Sequence, residues 1–276
     1  MKIHRRIIAM GDLHCGHGLG ITPKCSAWNM RDECLTPITK GWVSVQAEFW
    51  AWYEKKVKAI RAQRDPDFVV VNGDAVEGVN KKNVVELVGN NTDRQRMMAA
   101  LTIRKWGKEV PVFMTYGTPW HTGEQEDAEL ALAESIKADI RSRQFFEIKG
   151  RGWKQLLVFR HHVGAGSLEH TRGTPIAREK YANTQAFMDA EEPAADWLFF
   201  SHVHYAFNVG VPGQWQAMSL PAMRVMLRQD GGKYSRRLSG RTTTGFTVVD
   251  VMDNGLVIPT VYECRCKSAK VEVHEG

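Results

Sequence analysis

Five places along the chain carry residues able to hold a divalent cation, and each follows a short apolar run. Asp12 and His14 follow Ile7-Ile8-Ala9-Met10, and Asp74 follows Phe68-Val69-Val70-Val71. His121 follows the run Val110 to Thr115. His161 and His162 follow Leu156-Leu157-Val158-Phe159, and His202 and His204 follow Trp197-Leu198-Phe199-Phe200. A carboxylate is a hard oxygen donor and an imidazole a borderline nitrogen donor, so the mixture suits Mn, Fe or Zn. Residues two apart, as in Asp12-x-His14, can project toward one point from a strand end or tight turn. Taken singly, each group has an ordinary explanation: histidine pairs are solvated or satisfied in a core, and Gly73-Asp74 is a turn. Their joint occurrence at the ends of successive apolar runs, with five of ten histidines in the last three groups, points to a metal centre.

The elements between these groups have to bring them together. Val43 to about Arg61 has helical spacing, with Phe49, Trp52, Tyr53 and Ile60 on an apolar stripe. Asp65-Pro66-Asp67 breaks it and opens the next run, which is β-branched and typical of a strand buried on both faces. Further helices are expected over Thr92 to Trp106, carrying Met97, Met98, Leu101 and Trp106, and over Glu124 to Ile140, with Leu130, Ala133, Ile136 and Ile140 inward. Another runs from Thr174, as N-cap to Pro175, to about Ala190. Strand, polar turn and helix in succession build a mostly parallel sheet with functional residues at strand carboxyl ends. The tail turns to β patterning: Phe246 to Val251, an Asp253-Asn254-Gly255 turn, then Leu256 to Glu263, a hairpin. Leu19 to Gly41, with Pro23 and Pro37, lacks periodicity and is expected to be a long loop beside the site. No internal repeat or linker divides residues 1–276, so a single domain is expected.

With 276 residues the chain can bury a sizeable core without disulfides. The four-residue apolar stretch of its opening is too short for a signal h-region or a membrane span, so a cytoplasmic protein is expected. Five cysteines, an odd number, argue for reduced thiols over a closed disulfide framework. A net charge of +6 points modestly to an anionic partner, and the excess is uneven. Arg224, Arg228, Lys233, Arg236, Arg237 and Arg241 stand against Asp230 alone, in a loop that is solvated or grips phosphate or nucleic acid.

In this order, Asp12-x-His14, Gly73-Asp74, a turn at 117–121, a lone histidine and His202-x-His204 resemble the calcineurin-like metallophosphoesterases. The resemblance spans residues 11–204 and implies an α/β fold of four layers, αββα, with a central sandwich of two mixed sheets. It implies two divalent metal ions, Mn2+ foremost and Fe, Zn or Ni as alternatives, with a hydroxide held between them as nucleophile toward a phosphoester. By position, Asp12, His14 and His204 would hold one ion and Asp74 would bridge. His202 with His161 or His162 would hold the other, His161 being the first polar residue to leave its strand. His162 is otherwise placed beside the substrate.

One motif departs from the family. Where Gly-Asn-His-Asp/Glu is expected the chain has Gly117-Thr118-Pro119-Trp120-His121, and Ser201 stands where a glycine precedes the first histidine of the last motif. Thr118 is a poorer ligand than the amide it replaces. His121 is left as either metal ligand or the acid that protonates the leaving group. The expected activity is metal-dependent phosphoester hydrolysis. A diester, nucleotide or nucleic acid is slightly favoured by Arg236, Arg237 and by Trp28, Trp42 and Trp120, which could stack on bases. A phosphomonoesterase or Ser/Thr protein phosphatase is the alternative within the class, and a metal-binding scaffold with little catalysis the alternative outside it. No membrane and no obligate protein partner are expected.

Overall fold

Alternation of apolar side chains along the strands decides the architecture. The computed structural model describes residues 1–24, 41–80, 83–88, 91–122, 127–166, 168–211, 213–227 and 242–266. Strand β1 (Ile3–Met10) sends Ile8 and Met10 to one face and Ile7 and Ala9 to the other. Strand β2 (Phe68–Asn72) divides Val69 and Val71 from Val70 in the same way. Helices α1 (Val43–Gln63), α2 (Thr92–Arg104) and α3 (Ala128–Ile136) cover the first face with Phe49, Tyr53, Met98, Ile103, Leu132 and Ile136. The second face meets another sheet.

Taking β3 (Val112–Thr115) and β4 (Asp139–Arg141) with the strands above, four parallel strands run β1-β2-β3-β4. The antiparallel pair β10 (Gly245–Met252) and β11 (Val257–Glu263) extends them on the β1 side to six strands. The second sheet has the order β5-β6-β7-β9-β8, from β5 (Gln144–Gly150), β6 (Trp153–Arg160), β7 (Trp197–Phe200), β8 (Phe207–Val211) and β9 (Trp215–Ser219). Its three inner strands are parallel and its two edges antiparallel. Leu157, Phe159, Trp197 and Phe199 pack against Ile7, Ala9 and Val70 between the sheets. Val158, Leu198 and Phe200 face outward to Ile176 of α4 (Gly173–Met188). The layers are therefore α, β, β, α, with both sheets mixed.

Some local expectations give way to tertiary structure. The third long helix was expected to reach Ile140, but Lys137 turns left-handed at φ 55° and Asp139–Arg141 joins the sheet beside β3. Residues 123–126 of that expectation lie outside the described residues. Helix α4 begins at Gly173 without a side-chain cap, so Thr174 is inside it and not its cap. Met97, Leu101 and Leu130 are exposed, because the buried stripes are set by Met98, Thr102 and Ile103 and by Leu132, Ala133 and Ile136. Residues 25–40 of the expected loop, with Trp28, and residues 228–241, with Arg236 and Arg237, lie outside the described residues. Among the described residues no helix is long and apolar enough to cross a membrane.

Candidate metal centre

Four of the five groups singled out in the sequence sit just beyond strand carboxyl ends, and His121 lies six residues past β3 in the short helix Pro119–Thr122. The loops after β1 and β2 continue side by side once the strands have ended. Asp12 N–H donates to Gly73 O at 3.0 Å, His14 N–H to Asp74 O at 3.0 Å, and Glu77 N–H to Cys15 O at 3.0 Å. The side chains are aimed by an unusual backbone: Asp12, His14, Asp74, His202 and His204 all have φ between 46° and 73°. That left-handed region costs a non-glycine residue of order 1 kcal/mol or more, though Asp and His tolerate it better than most. Gly73, at φ +75°, is needed for a second reason: a Cβ there would lie 2.5 Å from Cγ of His161.

Asp12, His14 and His204, all buried, form one donor set. His14 Nε2 and His204 Nε2 face each other at 3.2 Å, and Asp12 Oδ1 is 3.4 Å from His204 Nε2. The Glu77 carboxylate 2.7 Å from His14 Nδ1 holds the ring proton there, leaving the Nε2 lone pair for the centre of the set. Burial, only partly opposed by Glu77, lowers the His14 pKa to about 3, so its imidazole is neutral and ready to coordinate. Burial pushes the Asp12 carboxyl up, but His204 and His161 pull it further down, and it is ionised. Two imidazole nitrogens and a carboxylate oxygen converging within one coordination shell fit a divalent cation.

Asp74, His161 and His202 form the second set. His161 Nε2 is 3.2 Å from Asp74 Oδ2, and its Nδ1–H donates to Asn72 O at 2.8 Å, which again directs Nε2 inward. Burial lowers the His161 pKa, yet Asp74 and Asp12 more than reverse this and raise it to about 10. The attraction that holds a proton at Nε2 is the one that would hold a cation. Burial, then His161, lowers His202 to about 4. His162 is exposed, with its ring centroid 4.5 Å from that of His202, at the rim and outside both sets. Thr118 stands among the second set, with Oγ1 3.2 Å from Asp74 Oδ2 and 3.3 Å from both His161 Nε2 and His202 Nδ1.

His121 occupies the other side. Its Nδ1–H donates to Glu77 O at 2.8 Å, its ring meets that of His14 edge-on at 4.8 Å, and Nε2 lies 3.8 Å from Asp74 Oδ2. Beneath it runs a buried charge network that the sequence did not disclose. Glu77 faces Arg224 Nη1 at 3.6 Å, and Arg224 Nη2 is 2.9 Å from His17 Nε2. Burial raises the Glu77 carboxyl, but Arg224, His17 and His14 hold it well below the usual range. Arg224 thus belongs to the centre and not to a solvated basic loop. His17 accepts the Leu19 N–H at 2.9 Å and stacks on Trp42, which is buried and not a base-stacking surface. Trp120 is 51% exposed.

Two further residues fix the strand ends. Glu129 on α3, fully buried, accepts Ala75 N–H at 2.9 Å and Gly117 N–H at 2.6 Å, tying the turn of Asp74 to that of Thr118. Burial, and then Asp74, raise its carboxyl to about 7. Asn72 spans the two sheets: its Nδ2 donates to Arg160 O at 3.1 Å and Ser201 Oγ at 3.0 Å, and its Oδ1 accepts from Thr115 Oγ1 at 3.0 Å. Ser201 in place of glycine is accommodated by this bond. The sequence signals were slight: Asn72 ends a buried strand, and Glu77 and Glu129 are acids near apolar runs. The thiol of Cys15 is buried and donates to Ile21 O, apart from both donor sets.

No protein-family model and no curated protein matches the chain. Among solved structures it is similar to Vps29 from Entamoeba histolytica complexed with Zn2+, at 13% identity over 94% of this chain and 98% of that one, TM-score 0.39. It is similar also to a dimetal phosphatase from Danio rerio, at 9% identity over 90% and 93%, TM-score 0.40. A third is GAP50, the anchor in the inner membrane complex of Plasmodium, at 12% identity over 95% and 85%, TM-score 0.44. Likenesses this distant leave the chemistry to be read from the site itself.

Proposed function

We propose that the chain is a dinuclear metal-dependent phosphoesterase, residues 1–276 forming one domain of that kind. The observation that carries this reading is two donor sets, buried but for the half-buried His202, each with facing atoms 3.2–3.4 Å apart, at neighbouring strand ends on one edge of the sandwich; a third group, His14, Glu77 and His121, shares His14 with the first. Asp12, His14 and His204 would hold one cation, His161 and His202 the other, and Asp74 would serve both. All donors are oxygen or nitrogen, which suits Mn2+ first and Fe, Zn or Ni after it. Two such cations supply charge neutralisation at the nonbridging phosphoryl oxygens and a nucleophile at neutral pH.

The protein's own groups then have defined tasks. Glu77 and Asn72 orient His14 and His161 through their Nδ1 protons. His121, its Nδ1–H tied to a carbonyl, presents Nε2 toward Asp74 and would deliver a proton from that atom to the leaving alkoxide. General acid catalysis of this kind contributes about 10²–10⁴-fold. His162 at the rim contacts the substrate, and Arg236 and Arg237 are proposed to grip a second phosphate or a nucleic-acid strand. A diester or nucleotide is the favoured substrate, and the exposed Trp120 beside His121 supports that choice.

The test incubates the full chain with Mn2+ and a chromogenic diester and monoester beside Asp74→Asn. Turnover in the parent, lost in the variant, supports the enzyme, and the preferred substrate separates diesterase from monoesterase. Bound metal with no turnover on either ester refutes it and leaves a metal-binding scaffold.

A further inference from the structure

We infer that the Thr118 hydroxyl is a ligand of the second cation and that His121 is not. This rests on the two-cation reading above and decides which residue of the altered turn completes the second site. Thr118 Oγ1 lies 3.2 Å from Asp74 Oδ2, 3.3 Å from His161 Nε2 and 3.3 Å from His202 Nδ1. Its oxygen thus faces one donor atom from each of the three residues of the second set, at the place a fourth donor would take. Donors arranged tetrahedrally about a zinc ion, at about 2.0–2.1 Å from it, stand about 3.3–3.4 Å from one another. The three separations at Thr118, and the 3.2 Å between Asp74 and His161, are edges of that size.

The hydroxyl is also held in place. Thr118 N–H donates to Asp74 Oδ1 at 2.6 Å, and Gly117 N–H to Glu129 at 2.6 Å, so the turn is pinned from both sides. His121 stands instead with His14 and Glu77 on the side of the first set, its ring proton taken by Glu77 O and its ring packed on His14. Its Nε2 is 3.8 Å from Asp74, beyond those edge lengths. His121 therefore keeps the proton-donating role and Thr118 takes the coordinating one.

The donor chemistry has a consequence. The first set has a carboxylate of its own, Asp12, whereas the second shares Asp74 and adds only a neutral alcohol oxygen, a poorer donor than an amide oxygen, so the second site holds its cation more weakly than the first. Two classes of site follow from this, the weaker one governed by residue 118.

The experiment is calorimetric titration of the chelator-stripped full chain with Mn2+, with circular dichroism to verify folding. Two classes of site are expected. Thr118→Ala weakens the weaker class about tenfold or more and leaves the tighter one unchanged, while Thr118→Ser keeps it. Thr118→Asn, which restores an amide oxygen, tightens the weaker class, and His121→Ala leaves both classes as they were. Two-site binding indifferent to Thr118→Ala and Thr118→Asn, or loss of the weaker class in His121→Ala, overturns the assignment alone. A chain that binds one Mn2+ or none overturns the two-cation reading itself, and the ligand assignment with it.

Discussion

Gly11→Ala and Ser201→Gly are each expected to destabilise the protein, and to compensate each other when combined. Gly11 has no positive φ, so its backbone accepts alanine. Space is the obstacle: a Cβ there would overlap Ser201 Oγ and lie 2.8 Å from Ser201 Cβ and 3.3 Å from Asn72 O. Both Ser201 atoms belong to a buried residue at the seam of the sheets, where neighbours cannot move freely. Overpacking of this kind costs about 2–3 kcal/mol. Ser201→Gly alone loses the bond from Asn72, about 1 kcal/mol, and adds backbone entropy to the unfolded chain, about 0.5–1 kcal/mol. Additive effects would sum to about 4 kcal/mol, but the double variant has no Ser201 side chain to strike, so about 2 kcal/mol is expected. Urea unfolding of the chelated protein, followed by circular dichroism, measures the cycle. The result is a coupling of about 2 kcal/mol in the stabilising direction, and additivity within about 0.5 kcal/mol would refute the reasoning.

Glu129→Ala leaves two buried amides, Ala75 N–H and Gly117 N–H, without their acceptor and is expected to cost roughly 3 kcal/mol, with weaker Mn2+ binding at the second site. A loss under about 1 kcal/mol in urea would contradict the role given to it. In the chelated protein His14 is neutral down to a pKa of about 3, whereas in the unfolded chain it takes a proton at its ordinary 6.5. The unfolded state binds more protons between those values, so stability falls as pH drops from 6.5 toward 3. His14→Gln should flatten that slope in urea midpoints measured against pH, and an unchanged slope would refute it. Mn2+ at a hundredfold excess over its dissociation constant should stabilise the protein by about 2.7 kcal/mol for each site filled. Thermal melting with and without chelator reads this, and an Asp74→Asn protein stabilised as much as the parent would count against the assigned donors.

How much was legible in the sequence follows from the range of each signal. The buried strands announced themselves because both faces are covered, giving runs such as Phe68-Val69-Val70-Val71 with no polar interruption. The donors announced themselves because each stands within a few residues of such a run. Strands β4, β5 and β8 did not, since edge positions mix exposed and buried residues and lose the pattern: β5 alternates Gln144, Phe145, Phe146 and Glu147 with only Gln144 and Ile148 buried, while the inner strand β9 is short and buries only Ala217, Met218 and Ser219. The clamp residues were hidden for a different reason. Glu129 reaches turns 54 and 12 residues away, Asn72 reaches Ser201 across 129, and Arg224 reaches His17 across 207. Nothing local distinguishes such a side chain from a solvated one.

The backbone says where the fold gives up local comfort, and it does so at the centre. Seven non-glycine residues among those described have positive φ, and five of them are Asp12, His14, Asp74, His202 and His204. Ordinary turns would have placed glycine or asparagine there, so the strain is kept for what these side chains reach. Each donor set draws on both sheets. Asp12 and His14 come from the first sheet and His204 from the second, while Asp74 comes from the first and His161 and His202 from the second. A cation in either set therefore fastens the sheets together at their upper edge, in the place where Asn72 and the His202 N–H to Asp12 bonds at 3.1 Å already do so. Under the two-cation reading, metal binding and sandwich stability are then one property, measured in two ways. Weakening the seam at Asn72 should loosen the metals, just as removing the metals should loosen the seam.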